Sequence, residues 1–381
     1  MLRRRWLAAA VIVMAPLWFG SPADAQVDPA KCRAPVISSD ERIAACTAVI
    51  EGGKGPSEGL AWAYRLRARE YLMTRDYDRA VADYSQVLRL YPRDRYAYMS
   101  RGDANFCREN VDQAIADYDQ AIGLDPKDGH AYASRGAAYL HKDDFERAFA
   151  DFSRAVELNP SDVQAYLSRG SAHLAMGEFD RAIADFDRAI QINPTYKIAY
   201  FLRGSAYAVK GDFDQAVSDY DEAIRLDRKD ARGYRFRAVV KVWAGSLAES
   251  LADLDQSEEL DPKSSYTALW REIVARRSNL PSHLAEKTVQ LDMARWPAPV
   301  VRMFLDETAL EAVLAAADDI DPKLRESQVC QANFYAGELA LQRGSTEDAA
   351  RLFGLTVADC PKNSVERSFA KAELKTLGVK P

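Results

Sequence analysis

Small and larger side chains recur along residues 61–264 with a period of 34 residues. In each unit of 34, positions 8, 20 and 27 are mostly alanine or glycine, and positions 4, 17 and 24 are mostly tyrosine, phenylalanine or leucine. The small residues let two helices of one unit approach closely, and the larger ones fill the space between units. The pattern predicts a pair of helices in each of six consecutive units.

Prolines mark where the units end. Position 32 is proline in five units, whereas Arg228 takes that place in the fifth. Proline lacks an N–H and clashes with the preceding turn, so it ends the second helix. One helix pair cannot bury its own apolar face, and neighbouring pairs must therefore stack. The prolines are Pro92, Pro126, Pro160, Pro194 and Pro262.

These recurring positions, or columns, of the 34-residue unit resemble the tetratricopeptide repeat (TPR), in six copies over residues 61–264. The resemblance implies an all-α fold, a right-handed TPR solenoid of antiparallel helix pairs with a helical C-terminal module. Around the repeats we predict a signal peptide at 1–25, an N-terminal cap at 26–60, a helical connector at 265–328, and a degenerate repeat with a capping helix at 329–381.

The N-terminus has the features of a secretory signal. Three arginines precede an apolar stretch from Leu7 to Phe19, and Ala23-Asp24-Ala25 is a cleavage site of the A-x-A type. We therefore expect export to the periplasm after cleavage behind Ala25. No lipobox precedes Cys32, so we expect neither a lipid anchor nor stable membrane insertion. An uncleaved membrane anchor is the alternative interpretation.

The composition and the absence of known motifs argue against several classes of function. The 381 residues have a formal net charge of −6, whereas nucleic-acid binding needs a basic face. Four histidines and five cysteines are too few for a dense metal or disulfide framework. Motifs of serine hydrolases, zinc proteases and P-loop proteins are absent from the sequence. We expect no enzyme activity, no cofactor, no metal and no nucleic-acid partner.

Two charged columns accompany the apolar ones. Position 7 on the first helix is always arginine, and position 23 on the second helix is always aspartate. We predict structural ion pairs between them, because buried charges come paired. A row of arginines that binds an anionic ligand is the alternative. The residues concerned include Arg101, Asp117, Arg135, Asp151, Arg169, Asp185, Arg203 and Asp219.

The flanks carry weaker signals. We expect helices at Ser39–Glu51, at Ser265–Ser278, from Pro281 to about Arg295, over residues 307–318, and at Ser364–Leu377. The last of these helices is amphipathic and is followed by Gly378, as expected for the helix that closes a stack of repeats.

The cysteines suit an oxidising compartment. Cys330 and Cys360 lie at the start and the end of one predicted antiparallel hairpin, so we predict a disulfide between them. A second disulfide, Cys32–Cys46, would tie the N-terminal arm to the cap helix. Cys107 is left over, and we expect its side chain to be buried. The alternative is that all five thiols are free.

A resemblance to other TPR proteins places the binding surface on the concave face, along the first helices. There the sequence has arginines at both ends and apolar residues in the middle, which favours an extended or helical protein segment as the ligand. The alternative is that the C-terminal tail folds back and fills the groove. The predicted partner-binding residues are Trp62, Arg65, Tyr96, Met99, Phe106, His130, Leu167, Phe201 and Arg235.

A narrower resemblance covers the tail. Trp296-Pro297, the segment 330–338 and the segment 370–378 are similar to the C-terminal module of the NlpI group of periplasmic TPR lipoproteins. That resemblance implies an adaptor, often a homodimer, that brings envelope proteases and cell-wall hydrolases together. A structural component of an envelope assembly and an envelope enzyme with an unrecognised site are the alternatives.

Overall fold

The computed structural model describes residues 29–53, 57–317 and 321–380. The predicted signal peptide therefore lies outside the described residues. The protein divides into two units, one that ends at Arg108 and one that begins at Glu109. The boundary falls inside the second predicted repeat, between its two helices.

The first unit begins with a short cap and continues into the repeats. Ser38 starts the cap helix with a capping box: its hydroxyl accepts from the Glu41 N–H, and the Glu41 carboxylate accepts from the Ser38 N–H. A single 3-10 turn, Ser57–Leu60, precedes the first repeat. The α-helices are α1 (Pro29–Cys32), α2 (Ser39–Gly52), α3 (Ala61–Met73), α4 (Tyr77–Leu90) and α5 (Arg95–Cys107).

The second unit holds the second helix of repeat 2 and all of repeats 3 to 6. The two helices of each of these four repeats pack against each other as antiparallel pairs, and each pair packs against the next. These helices are α6 (Val111–Leu124), α7 (Gly129–His141), α8 (Phe145–Leu158), α9 (Val163–Ala175), α10 (Phe179–Ile192), α11 (Lys197–Lys210), α12 (Phe213–Leu226), α13 (Ala231–Trp243) and α14 (Leu247–Leu260).

Seven further helices follow among the described residues of the second unit. The expected helix from Pro281 to Arg295 is wrong, because only four residues there are helical. Val289 is 90% exposed, and the segment has no continuous apolar face to bury. The helices are α15 (Ser265–Arg277), α16 (Leu284–Lys287), α17 (Ala298–Phe304), α18 (Leu310–Ala316), α19 (Pro322–Gln342), α20 (Thr346–Asp359) and α21 (Val365–Thr376). The peptide bond between Trp296 and Pro297 is cis.

Aspartates at position 34 begin the next helix at four places in the repeat array. At position 34 the carboxylate accepts a hydrogen bond from an N–H of the following first turn, which satisfies one of the otherwise unpaired amide groups there. Within the repeats, position 15 has a positive φ, which glycine provides at Gly177, Gly211 and Gly245. The N-capping aspartates are Asp94, Asp128, Asp162 and Asp230.

The core of the repeats follows the predicted columns. Position 20 is alanine or serine with no exposed surface, and position 24 is a large side chain with almost none. Phe152, Phe186, Tyr220 and Leu254 fill this position in repeats 3 to 6 and are at most 1% exposed. The sequence-predicted all-α architecture of paired antiparallel helices is confirmed.

Candidate functional site

The arginine at position 7 binds the aspartate at position 23 within each repeat whose helices lie in one unit. In repeat 3, Arg135 Nε and Nη2 donate to the two Asp151 carboxylate oxygens at 2.8 and 2.7 Å. The aspartates are buried and the arginines are half-buried. The other pairs of this kind are Arg67–Asp83, Arg169–Asp185, Arg203–Asp219 and Arg237–Asp253.

A second carboxylate, which the sequence analysis missed, occupies the remaining donor of several arginines. Arg135 Nη1 donates to Asp119 Oδ1 at 2.5 Å, and Asp119 lies at position 25 of the preceding repeat. Aspartate recurs at this position 34 and 68 residues after Asp187, so the signal was present in the sequence. The same contact joins Arg203 to Asp187, Arg237 to Asp221 and Arg271 to Asp255.

These contacts give the guanidinium groups a structural role within the repeats. Hydrogen bonding to Asp151 is the main cause that raises the pKa of Arg135, and Asp119 adds to it. A guanidinium whose fork is held by two carboxylates offers few donors to an outside anion. In the first unit Arg101 Nη1 donates to Ser85 Oγ at 3.1 Å. The Arg101–Asp117 pair spans the two units and stays a prediction.

The first helix of repeat 1 presents a basic and aromatic surface. The guanidinium carbon of Arg33 lies 3.8 Å from the ring centroid of Trp62, which is half-buried. Arg65 and Arg69 are exposed on the same helix, although Arg65 pairs with Asp94 and Arg69 lies 3.4 Å from a Glu70 carboxylate oxygen. A cleft of about 570 Å³ lies between these residues. Its chemistry suits an acidic or aromatic side chain.

The first helix of repeat 2 offers one exposed ring. Tyr96 is 65% exposed, and the Arg95 guanidinium carbon lies 4.4 Å from its ring centroid. Met99, one turn further along, is only 8% exposed. Met99 is therefore buried, which leaves little of its side chain for a partner to contact and argues against its predicted role. Phe106 is half-buried.

In the second unit the predicted surface residues divide into exposed and packed ones. His130 is exposed, whereas Leu167 is 2% exposed and belongs to the core of repeats 3 to 5. Phe201 contacts Tyr220 of its own repeat and Phe236 of the next, with ring centroids 5.4 and 4.9 Å apart. Leu167 is therefore a packing residue, which corrects the sequence-based prediction, and Phe201 packs against two rings although it is only half-buried.

The C-terminal helices cover part of the first-helix face of repeats 5 and 6. The ring of Phe369 in α21 stacks on Trp243 of α13 with centroids 3.8 Å apart, and Trp243 Nε1 donates to Glu373 at 2.8 Å. Position 12 on this face, half-buried in the earlier repeats, is buried here as Ala208 and Val242. The C-terminal tail therefore occupies this part of the surface, so this part does not form an open groove.

A buried ion-pair cluster holds that cover in place. Arg277 of α15 donates to Glu338 of α19 and to Glu373 of α21, both at 2.7 Å. Glu338 has no exposed surface, and burial raises its pKa to about 7, although Arg277 opposes the shift. Arg235, another predicted partner-binding residue, lies beneath the same cover with Nη1 3.1 Å from Ser264 Oγ; it is not part of an open groove.

Two disulfides are present. Cys32–Cys46 joins α1 to α2, and Cys330–Cys360 joins α19 to the end of α20. Cys107 has a free thiol and is exposed, so the expectation that it is buried is wrong. Its place as the last residue of α5 leaves it at a helix end rather than in the core.

Histidines and acidic groups form no recognisable metal centre in the part of the protein that the structure describes. His173 is 5% exposed, and its Nδ1 lies 2.7 Å from Glu178 Oε2, so it is a core histidine with a hydrogen-bond partner. Among the described helices, none combines the length and the apolar run that crossing a bilayer requires.

Comparisons with known proteins agree with this architecture. A tetratricopeptide repeat family model matches in overlapping pairs of repeats at 65–129, 108–163, 135–197, 167–231 and 201–265, which together cover more than half of the sequence. Among solved structures, a tetratricopeptide repeat protein from Parabacteroides merdae has a TM-score of 0.50 at 17% identity. The match covers 62% of this protein and 92% of that one.

Two further solved structures resemble part of the protein. MamA is 28% identical with a TM-score of 0.40, over 45% of this protein and 94% of its own length. YrrB, described as a TPR protein with an unusual peptide-binding site, is 20% identical with a TM-score of 0.41, over 48% of this protein and 95% of its own length.

Proposed function

The protein belongs to the tetratricopeptide repeat family, and from this premise we propose that it is a periplasmic adaptor that binds other proteins or peptides through the exposed first-helix faces of its repeats. TPR solenoids use extended surfaces of this kind for binding. The similarity of the tail to the NlpI group supports envelope proteases or cell-wall hydrolases as the partners that it recruits.

The exposure of position 2 on the first helices carries this proposal. Large apolar side chains are exposed there in two repeats, Tyr96 at 65% and Ile198 at 47%. The neighbouring position 5 is buried or half-buried in repeats 2 to 6. An exposed ring on a packed helix is the kind of residue that anchors a partner, because aromatic residues dominate binding energy at protein interfaces.

The surface of repeat 1 supports an acidic partner segment. Arg33, Arg65 and Arg69 surround Trp62 along the 570 Å³ cleft. Rim arginines of this kind raise the association rate of a partner of opposite charge more than its final affinity. We therefore expect that binding weakens as the salt concentration rises, with most of the change in the association rate.

The two disulfides support an oxidising compartment, since such bonds are rare in the cytosol. Mass spectrometry of the protein recovered from an envelope fraction tests export. We expect a mature protein that begins at Gln26, after cleavage behind Ala25. A protein that retains Met1, or a lipid-modified Cys32, would contradict the proposed processing.

A photo-crosslinking amino acid at position 96 tests the binding surface directly. The matched control places the same crosslinker at Tyr91, an exposed tyrosine that lies just past the end of α4 rather than on a first helix. Discrete adducts at position 96, absent at position 91, identify the partners by mass spectrometry. With a purified partner, Tyr96→Ala should weaken binding at least tenfold, equivalent to about 1.4 kcal/mol. Equal adducts at both positions and unchanged affinity would refute this surface.

A further inference from the structure

A cavity of about 190 Å³ lies in the second unit, between repeats 5 and 6 and the C-terminal helices α19 and α21. Engineered apolar cavities of about 150 Å³ hold a benzene molecule. The cavity therefore has room for one ring or one branched aliphatic group and little more. Its wall is aromatic, formed by Tyr220, Phe236, Tyr266, Trp270, Tyr335 and Phe369.

Two groups of opposite charge line this cavity from different helices, Arg235 on α13 and Glu366 on α21. The guanidinium carbon of Arg235 lies 5.1 Å from the ring centroid of Phe236 and 5.7 Å from that of Tyr266. Glu366 accepts a hydrogen bond from Ser364 Oγ at 3.1 Å. Among the described residues, neither has a partner of opposite charge within 4.0 Å.

Arg235 thus differs from the arginines at position 7 of the repeats, which form ion pairs with carboxylates. Burial lowers the pKa of Arg235 and raises that of Glu366, as expected for charges that lose water without gaining an ionic partner. Gln331, which also lines the cavity, accepts hydrogen bonds from Tyr266 and Trp296 at 3.2 and 2.8 Å and hydrogen-bonds to Glu366. The wall of the cavity is thus ordered, and its two charged groups have hydrogen-bond partners but no ionic partner among the described residues.

We propose that the cavity binds a free α-amino acid with a large apolar side chain, its carboxylate against Arg235 and its ammonium group against Glu366. The guanidinium fork matches a carboxylate, and aromatic walls favour a ring or a branched aliphatic group. Both charges of the amino acid are needed to satisfy both charges of the protein. A peptide C-terminus would bring a carboxylate but leave Glu366 without a cation.

Isothermal titration calorimetry with L-phenylalanine tests the ligand chemistry on the full mature protein. N-acetyl-L-phenylalanine removes the ammonium group, and L-phenylalaninamide removes the carboxylate. We expect saturable binding of the free amino acid, and at least tenfold weaker binding of each blocked form. If neither L-phenylalanine nor L-leucine binds at millimolar concentration, the proposal is wrong. Equal binding of the N-acetyl form would show a site for peptide C-termini instead, which also overturns it.

Variants test the two charged groups. Arg235→Gln and Glu366→Gln should each weaken L-phenylalanine binding at least tenfold, and Arg235→Lys should lose less, because it keeps the charge. Arg232→Gln is the matched control on the same helix, since Arg232 is exposed and pairs with Asp230. Circular dichroism verifies that each variant is folded. If Arg235→Gln is not folded, Glu366→Gln decides the matter, since Glu366 lies in the first turn of α21. Wild-type affinity in Glu366→Gln would refute the proposal.

Discussion

Removal of Asp151 tests the ion pairs of the repeats, and removal of the second aspartate that Arg135 binds is the control. This arginine holds two aspartates: Asp151 in its own repeat, with 8% of the side chain exposed, and Asp119 in the preceding repeat, with 48% exposed. Asp151→Ala removes the buried partner, whereas Asp119→Ala removes the exposed one from the same guanidinium. The two variants therefore differ mainly in the burial of the lost carboxylate.

The expected magnitudes differ several-fold. Breaking a buried ion pair by removing one partner costs about 3–5 kcal/mol, because the remaining charge is stranded. Arg135 keeps Asp119, so we expect a loss near the lower end, about 3 kcal/mol, for Asp151→Ala. Exposed ion pairs contribute about 0.2–1 kcal/mol, which bounds the loss for Asp119→Ala.

Urea unfolding followed by far-UV circular dichroism measures both losses in the same buffer. Repeat arrays can lose cooperativity, so the slopes of the transitions should be compared with the parent before free energies are extracted. Surface substitutions without effect change the free energy of unfolding by about 0.5 kcal/mol or less. If the losses caused by Asp151→Ala and Asp119→Ala differ by no more than this, the buried pair does not stabilise the repeat and the reasoning is refuted.

Three further predictions concern stability. Burial raises the pKa of Glu338 from 4.5 to about 7, so the folded protein keeps a proton that the unfolded protein releases. Stability should therefore fall as the pH rises from about 5 to about 7, and urea unfolding of Glu338→Gln should lack this component. Replacing Cys330 and Cys360 by serine opens a loop of 30 residues and should cost about 3 kcal/mol in urea unfolding; unchanged stability would contradict this. Phe201→Ala should lower the melting temperature, because it opens a gap beside two rings, whereas Tyr96→Ala should leave it nearly unchanged; equal shifts would contradict the packing described here.

The columns of the repeat were predictable because each helix pair meets only its neighbours. Position 24 buries a large side chain wherever the sequence places one, and the helix bounds follow the 34-residue period to within a few residues. The contacts of the tail were not predictable in the same way. Phe369 meets Trp243 across 126 residues of sequence, and no local pattern shows which turn of the array a closing helix will cover.

The C-terminal helices also explain part of the error in the surface prediction, because they cover residues of the repeats that are distant from them in sequence. The first-helix positions of repeats 5 and 6 repeat those of the earlier units in register, so their sequence suggests the same exposure. Arg235 lies beneath the tail, which the period does not encode, whereas Phe201 packs against Tyr220 and Phe236 of the repeats. The exposed residues Tyr96 and His130 lie in repeats 2 and 3, before the repeats that the tail covers.

The last hairpin indicates what the arginine–aspartate pairs contribute. A Cβ at Gly337 would lie 2.7 Å from the Phe353 ring, close to the 2.6 Å between the equivalent atoms at Gly170 and Phe186. Helices α19 and α20 thus pack as a repeat does, although they lie beyond the residues matched by the family model.

Positions 7 and 23 of that hairpin are Ala336 and Leu352, both buried. Hydrophobic residues can replace a buried ion pair without loss of stability, so packing within one hairpin does not require the charges. In repeats 3, 5 and 6 the same arginine also reaches the aspartate at position 25 of the preceding repeat, whereas α19 follows α18 rather than a repeat. Repeat 1 keeps its Arg67–Asp83 pair although no repeat precedes it, so the pair within a repeat does not depend on a preceding one, and it is the second aspartate that links successive repeats.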